Sequence, residues 1–423
     1  MTPAANPAVA PEVRWAELRE LLGPANVREA PAEAEICGVR PSLIAEPTTE
    51  QQLAAALRWA NDAGLAVIPA GGGSKLGWGN PPARPGLVLS TARLNRVIEH
   101  AWSDLTVSAE AGVTIAHLQS LLAQNGQRLA IDPLFPEEAT IGGILSTNDS
   151  GTLRLRYGSL RDLVIGMTIA LPDGTLASSG GKVVKNVAGY DLPKLLTGAY
   201  GTLGVITRAV FRLHPLPHQT LSQTFAAQRI EDANEFLLSA QASKMAHTGL
   251  QVRVASSSKP ELDIRFDATD EGLRAQAATA RKLAGQMEEI QPPQPHWDAL
   301  QQLWADAEQS VIAKVSILPT AIADTCRALQ RAAQHHSVNW RAVIQATGLG
   351  WVRLDSNSAD VLGNTVRELR KHIGNLVVLQ RPAALYPMDV WGPPGDALDL
   401  MLAVKSQFDP RGTLNPGRFV GGI

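Results

Sequence analysis

A chain of 423 residues, 45% hydrophobic and 18% charged, is long enough for two or three compact units with a sizeable core. Its net charge of −2 gives no global basic field and argues against nucleic-acid binding. Its two cysteines, Cys37 and Cys326, provide no disulfide framework and no iron–sulfur or zinc spacing.

The first stretch, MTPAANPAVAPEV, has neither a basic n-region nor an apolar h-region. It reads as a disordered Ala/Pro leader rather than a signal peptide. No run of about eighteen apolar residues is present, so no membrane span is expected. These features fit a reducing, cytoplasmic compartment, with any contact at the inner membrane made through partners.

Val13 to Leu22 reads as a short helix stopped by Gly23-Pro24. Thr49 is the expected N-cap of the next helix, whose apolar set is Leu53, Ala56, Leu57 and Ala60, with Gly64 as its end. Leu65 to Pro69 is a strand that runs into a first glycine-rich loop, PAGGGSKLGWG, Pro69 to Gly79. Strands are expected at Gly86–Ser90 and Thr106–Ala109, then a helix at Thr114–Asn125 capped by Thr114. Asp132-Pro133 precedes a second glycine-rich loop, ATIGGILSTNDSG, Ala139 to Gly151. A strand at Leu163–Leu171, a turn at Pro172-Asp173-Gly174-Thr175 and a strand at Gly204–Leu213 complete this half. A third glycine-rich turn, YGTLGVIT, spans Tyr200 to Thr207.

Pro215 and Pro217 mark a boundary. Beyond it, strands near 221–227, 251–255 and 261–266 alternate with helices near 232–244 and 271–287. After the linker Ile290 to Trp297, strands near 311–317, 342–346, 350–354 and 375–379 alternate with helices near 321–333 and 361–370. The recurring β-α-β-β-α order predicts one antiparallel sheet backed by helices. The turn-rich tail, Phe408 to Phe419, is too short to fold alone and is expected to pack on the first half.

Glycine allows positive φ and close backbone approach. Consecutive free N–H groups in such a loop form an anion site. Two of these loops facing each other can hold both phosphates of a pyrophosphate. In the second loop, Thr140 offers a hydroxyl and Gly142 and Gly143 offer N–H donors, with Asn148, Ser150 and Gly151 beside them. A Rossmann site is the competing reading. Gly71, Gly73 and Gly77 are spaced one residue too long for its fingerprint, however, and no acidic residue ends a second strand.

Lys182, Lys185 and Lys194, around Asn186 and Asp191, read either as a solvated charged face or as help with a pyrophosphate or a partner. His335-His336 reads as a dipole partner at a helix C-terminus or as a solvent-facing pair. No histidine, His214 and His218 included, falls at a metal-ligand spacing with a carboxylate, and no metal is expected.

The order PAGGGSKLG, DP…ATIGG…TNDSG…RYGSLRD, GKVVKNVAGYDLPKLLTGAYGTLGVIT and FDPRGTLNPGRF resembles the FAD-binding PCMH family, the vanillyl-alcohol oxidase type. The stretch Lys182 to Thr207 is similar to the glycolate oxidase and D-lactate dehydrogenase branch. With Asp389-Val390-Trp391-Gly392 and Asn415-Pro416-Gly417-Arg418-Phe419, the chain most resembles the FAD-binding subunits of bacterial glycolate oxidase (glycolate dehydrogenase).

The resemblance implies an α+β fold: a PCMH-type FAD-binding domain of two α+β subdomains and an antiparallel, ferredoxin-like α/β cap. Leader and first helix would occupy residues 1–30, the FAD domain 31–217, the cap 218–384, and a segment returning to the FAD domain 385–423. It implies that Ala70, Gly71, Gly72, Gly73, Ser74, Lys75 and Gly77, with Thr140, Gly142, Gly143, Asn148 and Gly151, grip the FAD pyrophosphate. Gly204, Val205 and Ile206 would meet the adenine side. Pro133, Tyr157 and Gly158 would line the flavin, and Asn415 would lie at the isoalloxazine edge. Neither loop holds the His or Cys that attaches flavin covalently in this family, so FAD is expected to be non-covalent.

The activity implied is oxidation of glycolate to glyoxylate, in a complex with a second FAD-containing subunit and an iron–sulfur subunit. Relatives that oxidise D-2-hydroxy acids carry an H-x-G-D-G-N-x-H segment in the cap. Here that place reads Ala346-Thr347-Gly348-Leu349-Gly350-Trp351-Val352, without the histidines, Asp or Asn. A scaffold subunit whose FAD does not turn over, with substrate oxidised in the partner, is therefore the alternative.

Overall fold

The computed structural model describes residues 11–181, 191–291 and 296–423. Lys182, Lys185, Asn186 and Tyr190, residues 292–295 of the linker, and the leader up to residue 10 lie outside the described residues.

Helix α1 (Pro11–Leu22) leads to a four-stranded sheet of β1 (Val27–Glu29), β2 (Leu43–Ala45), β3 (Ala66–Ala70) and β4 (Gly86–Ser90), in the order β1-β2-β4-β3. β2 and β3 both run parallel to β4. α2 (Glu50–Asp62) supplies the crossover. Its cap is Thr49, whose hydroxyl accepts from Gln52 N at 3.1 Å, a bond that stabilises such a helix by about 1 kcal/mol. Leu53, Ala56, Leu57 and Ala60 are fully buried, as their spacing predicts.

The second sheet is antiparallel, in the order β5-β6-β10-β8-β9: β5 (Val97–Ala101), β6 (Thr106–Glu110), β8 (Val164–Ala170), β9 (Leu176–Gly180) and β10 (Val205–Arg212). Helices α3 (Ile115–Ala123), α4 (Ile141–Thr147), α5 (Arg154–Tyr157), α6 (Leu160–Leu163) and α7 (Leu192–Leu196) intervene, and β7 (Gln127–Arg128) pairs with β11 (His214–Pro215). The second glycine-rich segment is thus a helix and not a loop. Thr140 is its N-cap and Asn148, at φ 48°, its left-handed C-cap.

The third sheet has eight antiparallel strands, ordered β15-β12-β14-β13-β17-β18-β16-β19. They are β12 (Gln219–Ala226), β13 (His247–Ala255), β14 (Glu261–Ala268), β15 (Glu288–Ile290), β16 (Val311–Ser316), β17 (Asn339–Gln345), β18 (Leu349–Asp355) and β19 (Leu376–Gln380). One face is covered by α8 (Ile230–Ala242), α9 (Asp270–Ala284), α11 (Ile322–His336) and α12 (Ala359–Arg370), whose apolar sides meet Phe225, Phe266, Trp340 and their neighbours. Each fully buried aromatic contributes roughly 1.5–3 kcal/mol.

The period-2 alternation turns Lys314, Val343, Gln345, Trp351 and Arg265 to the other face. That face covers the first half of the chain. Trp351, Val343 and Leu379 pack with Trp78, Leu134 and the short helix α10 (Ala299–Gln302). Gln345 Nε2 lies 3.3 Å from Thr152 Oγ1, and Arg128 pairs with Asp267 at 3.0 Å.

After α13 (Leu398–Phe408) the tail returns to the first sheet. Val67 N donates to Thr413 O at 2.7 Å and Asn415 N to Val67 O at 2.8 Å, so Leu414 extends the sheet beside β3. Lys405 fastens this return by donating to Thr202 O, Leu414 O and Asp409. The fold is α+β.

Candidate functional site: a cleft under two glycine-rich segments

β3 ends at Ala70, and the chain then makes an irregular turn through Gly71–Lys75. The backbone N–H groups of these five residues meet no acceptor among the described residues. The turn lies against the N-terminus of α4. A Cβ on Gly71 would overlap Thr140 Oγ1, and one on Gly72 would overlap the Glu138 carbonyl oxygen. Only glycine permits this approach.

Between the two segments lies an open cleft. Ala70, Gly71, Gly72, Gly73, Ser74, Lys75, Thr140, Gly142, Gly143, Gly204, Val205, Ile206 and Asn415 line it, and Pro69, Leu76, Trp78, Thr91, Ser146, Thr147, Tyr200, Gly201 and Arg418 complete the wall. The sequence pattern alone assigns these latter residues no site role. Tyr200 and Arg418 do carry a signal, since both stand inside the motifs that bear the resemblance.

The donors differ from expectation in the second segment. Gly142 N already donates to Ala111 O at 2.8 Å, and Gly143 N to Thr140 Oγ1 at 3.3 Å. Helix formation consumes them, so the anion-ready N–H groups belong to the first loop. Lys75 differs as well. Its ammonium turns inward to Asp149 at 3.2 Å and Leu134 O at 3.1 Å, under the rings of Trp78 and Phe135. Burial lowers its pKa, and Asp149 opposes the shift. Val205 and Ile206 open strand β10, within the strand expected from Gly204 to Leu213.

Gly77, Pro133, Asn148, Gly151, Tyr157 and Gly158 are not in the cleft wall. Gly77 O accepts from Cys37 Sγ, and Pro133 is buried between Asp132 and Leu134. Gly151 abuts the Asp132 carbonyl, and Gly158, at φ 87°, ends α5. Tyr157 accepts from Arg128 at 2.8 Å, and its ring lies tilted against His214 at 4.7 Å.

Buried polar atoms without a partner among the described residues include Asn148 Oδ1, Ser150 Oγ and Asn415 Oδ1, and, on the cap face, Gln345 Oε1 and Trp351 Nε1. Asn415, at φ 46°, is fixed by Val67 O and Tyr200 O, which leaves its Oδ1 free. Such orphans are costly unless a ligand satisfies them. A free N–H run, a glycine-only approach and unsatisfied amide oxygens fit a ligand with both a pyrophosphate and a polar ring.

A family profile described as an FAD binding domain matches residues 41–180. That stretch of the chain is an FAD-binding domain. The cofactor is FAD. The chain is similar to glycolate oxidase subunit GlcD of Bacillus subtilis, 32% identical over 213 residues, which are 47% of this chain and 45% of that one. It is also similar to D-lactate dehydrogenase of Archaeoglobus fulgidus (34% over 191 residues, 45% and 43%) and to D-2-hydroxyglutarate dehydrogenase of Xanthomonas citri (31% over 255 residues, 57% and 54%). The chain spans about half the length of these curated relatives. Among solved structures, p-cresol methylhydroxylase aligns with TM-score 0.80 at 16% identity, over 96% of both chains. Alkyldihydroxyacetonephosphate synthase aligns with TM-score 0.72 at 17%, over 98% of this chain and 86% of that one. At these identities the structural likeness concerns the fold alone.

Two cations stand between the cap sheet and the FAD domain. Lys314 on β16 and Arg154 on α5 are half-buried and form no ion pair or hydrogen bond with the described residues. Burial pushes the Lys314 pKa down; Asp149 opposes this and Arg154 adds to it. Burial likewise lowers Arg154. The place of the missing H-x-G-D-G-N-x-H segment is the hairpin β17–β18, where Trp351 is buried against Trp78 and no ionisable side chain stands between Ala346 and Val352.

No helix among the described residues is long and apolar enough to cross a membrane.

Proposed function

We propose that this chain is an FAD-linked oxidoreductase of a small 2-hydroxy acid, with glycolate its substrate and glyoxylate the product. It works as one subunit beside a second FAD-containing subunit and an iron–sulfur subunit. The observation that carries the reading is the run of free N–H groups from Gly71 to Lys75 packed against Thr140.

Gly71 to Lys75 hold the pyrophosphate through backbone N–H groups, with the Thr140 hydroxyl opposite. Gly204, Val205 and Ile206 bound the adenine side. Asn415 presents its amide oxygen toward the ring. Among the described residues lining the cleft there is no His or Cys, which supports non-covalent attachment. When bound, FAD supplies the two-electron acceptor that no side chain here can provide. Lys314 and Arg154 hold the substrate carboxylate, which supplies the counter-charge the pair lacks. Trp78, Trp351 and Phe135 exclude water from that space.

The relatives named for glycolate, D-lactate and D-2-hydroxyglutarate support the substrate class. The hairpin at Ala346–Val352, empty of ionisable groups, favours a second reading in which this FAD does not turn over and a partner oxidises the acid. Visible absorbance of the chain purified alone, before and after anaerobic glycolate, decides between them. Flavin bands that bleach support oxidation here. Bands that persist in the chain alone replace it with the scaffold reading. A colourless chain that takes up no added FAD overturns both.

A further inference from the structure

The histidine pair expected to face solvent has a carboxylate partner that its sequence neighbours do not reveal. α11 ends at His336, and Glu368 stands in the last turn of the adjacent helix α12. Consecutive helical residues point about 100° apart. Even so, His335 Nδ1 lies 2.8 Å and His336 Nε2 2.9 Å from the same Glu368 oxygen, with ring centroids 4.5 Å apart.

We propose that His335, His336 and Glu368 form a site for a divalent transition-metal ion, zinc by preference, that ties α11 to α12. Two imidazole nitrogens and one carboxylate oxygen are a zinc donor set. All three ligand atoms lie within 4.8 Å of one another. Tetrahedral zinc with ligands at about 2.0–2.2 Å needs ligand atoms roughly 3.3–3.5 Å apart, so each imidazole nitrogen draws back from the Glu368 oxygen by about half an ångström to admit the ion. His335, with 70% of its side chain exposed, is free to make that move.

The exposed side leaves a fourth position for water. The C-terminus of the fifteen-residue α11 adds the negative end of its dipole. The site lies on the helix-covered face of the cap sheet, away from the face that meets the FAD domain. It therefore acts as a clamp on the cap and does not depend on the proposed activity.

The test is calorimetric titration of the EDTA-treated full chain with ZnCl2, alongside Glu368→Gln and His335→Gln and with thermal melts of each. His335→Gln changes an exposed side chain and keeps the fold. The expected result is one saturable equivalent in the parent chain, at least tenfold weaker binding in both variants, and a zinc-dependent rise in melting temperature only in the parent. Flavin content stays the same in all three. Absence of a saturable equivalent, or equal affinity in the variants, overturns the site, since the other histidines would then account for any zinc taken up.

Discussion

Lys75 and Asp149 form an ion pair at 3.2 Å in which the two side chains are only 5% and 2% exposed. Asp149 Oδ2 also accepts from Leu134 N at 3.0 Å, and Lys75 Nζ donates to Leu134 O. One pair thus joins the first glycine loop, the 132–135 segment and the end of α4. It fixes the floor of the cleft rather than contributing an ammonium to it.

Removing one partner strands the other charge in low dielectric. Asp149→Ala is expected to lower stability by about 3–5 kcal/mol, read as a shift in urea midpoint. A loss below about 1 kcal/mol would mean that water reaches Lys75 and that the pair is a surface one.

Gly72→Ala places a methyl group against the Glu138 carbonyl, a backbone atom that cannot swing aside. The loop must then move off α4, at a cost of about 1–3 kcal/mol typical of overpacking, and the chain should purify with less flavin. Gly143→Asp adds a carboxylate to the opposite wall of the cleft and should expel the cofactor. Unchanged flavin per chain in both variants would sink the assignment of these segments to the pyrophosphate.

Much of the fold is legible locally. Thr49, Thr114 and Thr140 stand where a short hydroxyl residue precedes an apolar run, and the pattern identifies Thr49 and Thr114 as caps. The glycines of the first loop follow a strand directly. The second segment misleads because Gly142 and Gly143 look like loop residues. What makes them helical is Thr140 closing on Gly143 N and Val113 and Ala111 accepting the preceding N–H groups. Glu368 beside His335, and Lys314 beside Arg154, depend on which helices and sheets stack, and no spacing rule reports that. Short strands such as β1 and β2, of three residues each, carry too few residues to show a period.

Asp132 sits at the edge of this machinery with an unusual proton affinity. The residue keeps exposed surface, yet protein atoms surround its carboxyl. Desolvation raises its pKa to about 6, against the opposing hydrogen bond from Leu153 N at 2.9 Å and the charge of Arg265. A pKa raised above the unfolded value means that the folded state binds the proton more tightly. The stability this contributes is fully present below the unfolded pKa of about 4 and is lost as pH rises to about 6. Asp132→Asn keeps an acceptor for Leu153 and removes the titration. Its stability relative to the parent should therefore climb between about pH 4 and 6 and level off above, in urea melts across that range. A difference independent of pH would place the carboxyl in water.

Lys314 is the residue at which stability and the proposed function should separate. Its ammonium lies 5.6 Å from the Trp351 ring centroid and forms no ion pair with the described residues, and burial lowers its pKa. A half-buried cation beside Arg154 is a poor choice for folding and a good one for receiving an acid. Replacing a buried ion by an apolar side chain of similar volume is often stabilising by about 1–4 kcal/mol. Because Lys314 keeps some solvent access, the expected gain for Lys314→Met lies at the lower end of that range. The same variant should need at least tenfold more glycolate, or any competing 2-hydroxy acid, to bleach the flavin, since each lost charge-assisted hydrogen bond is worth about 1.5–3 kcal/mol. Thermal melts and anaerobic titration of one preparation measure both. A variant that melts higher and titrates like the parent would leave Lys314 a structural oddity and remove the carboxylate from this place.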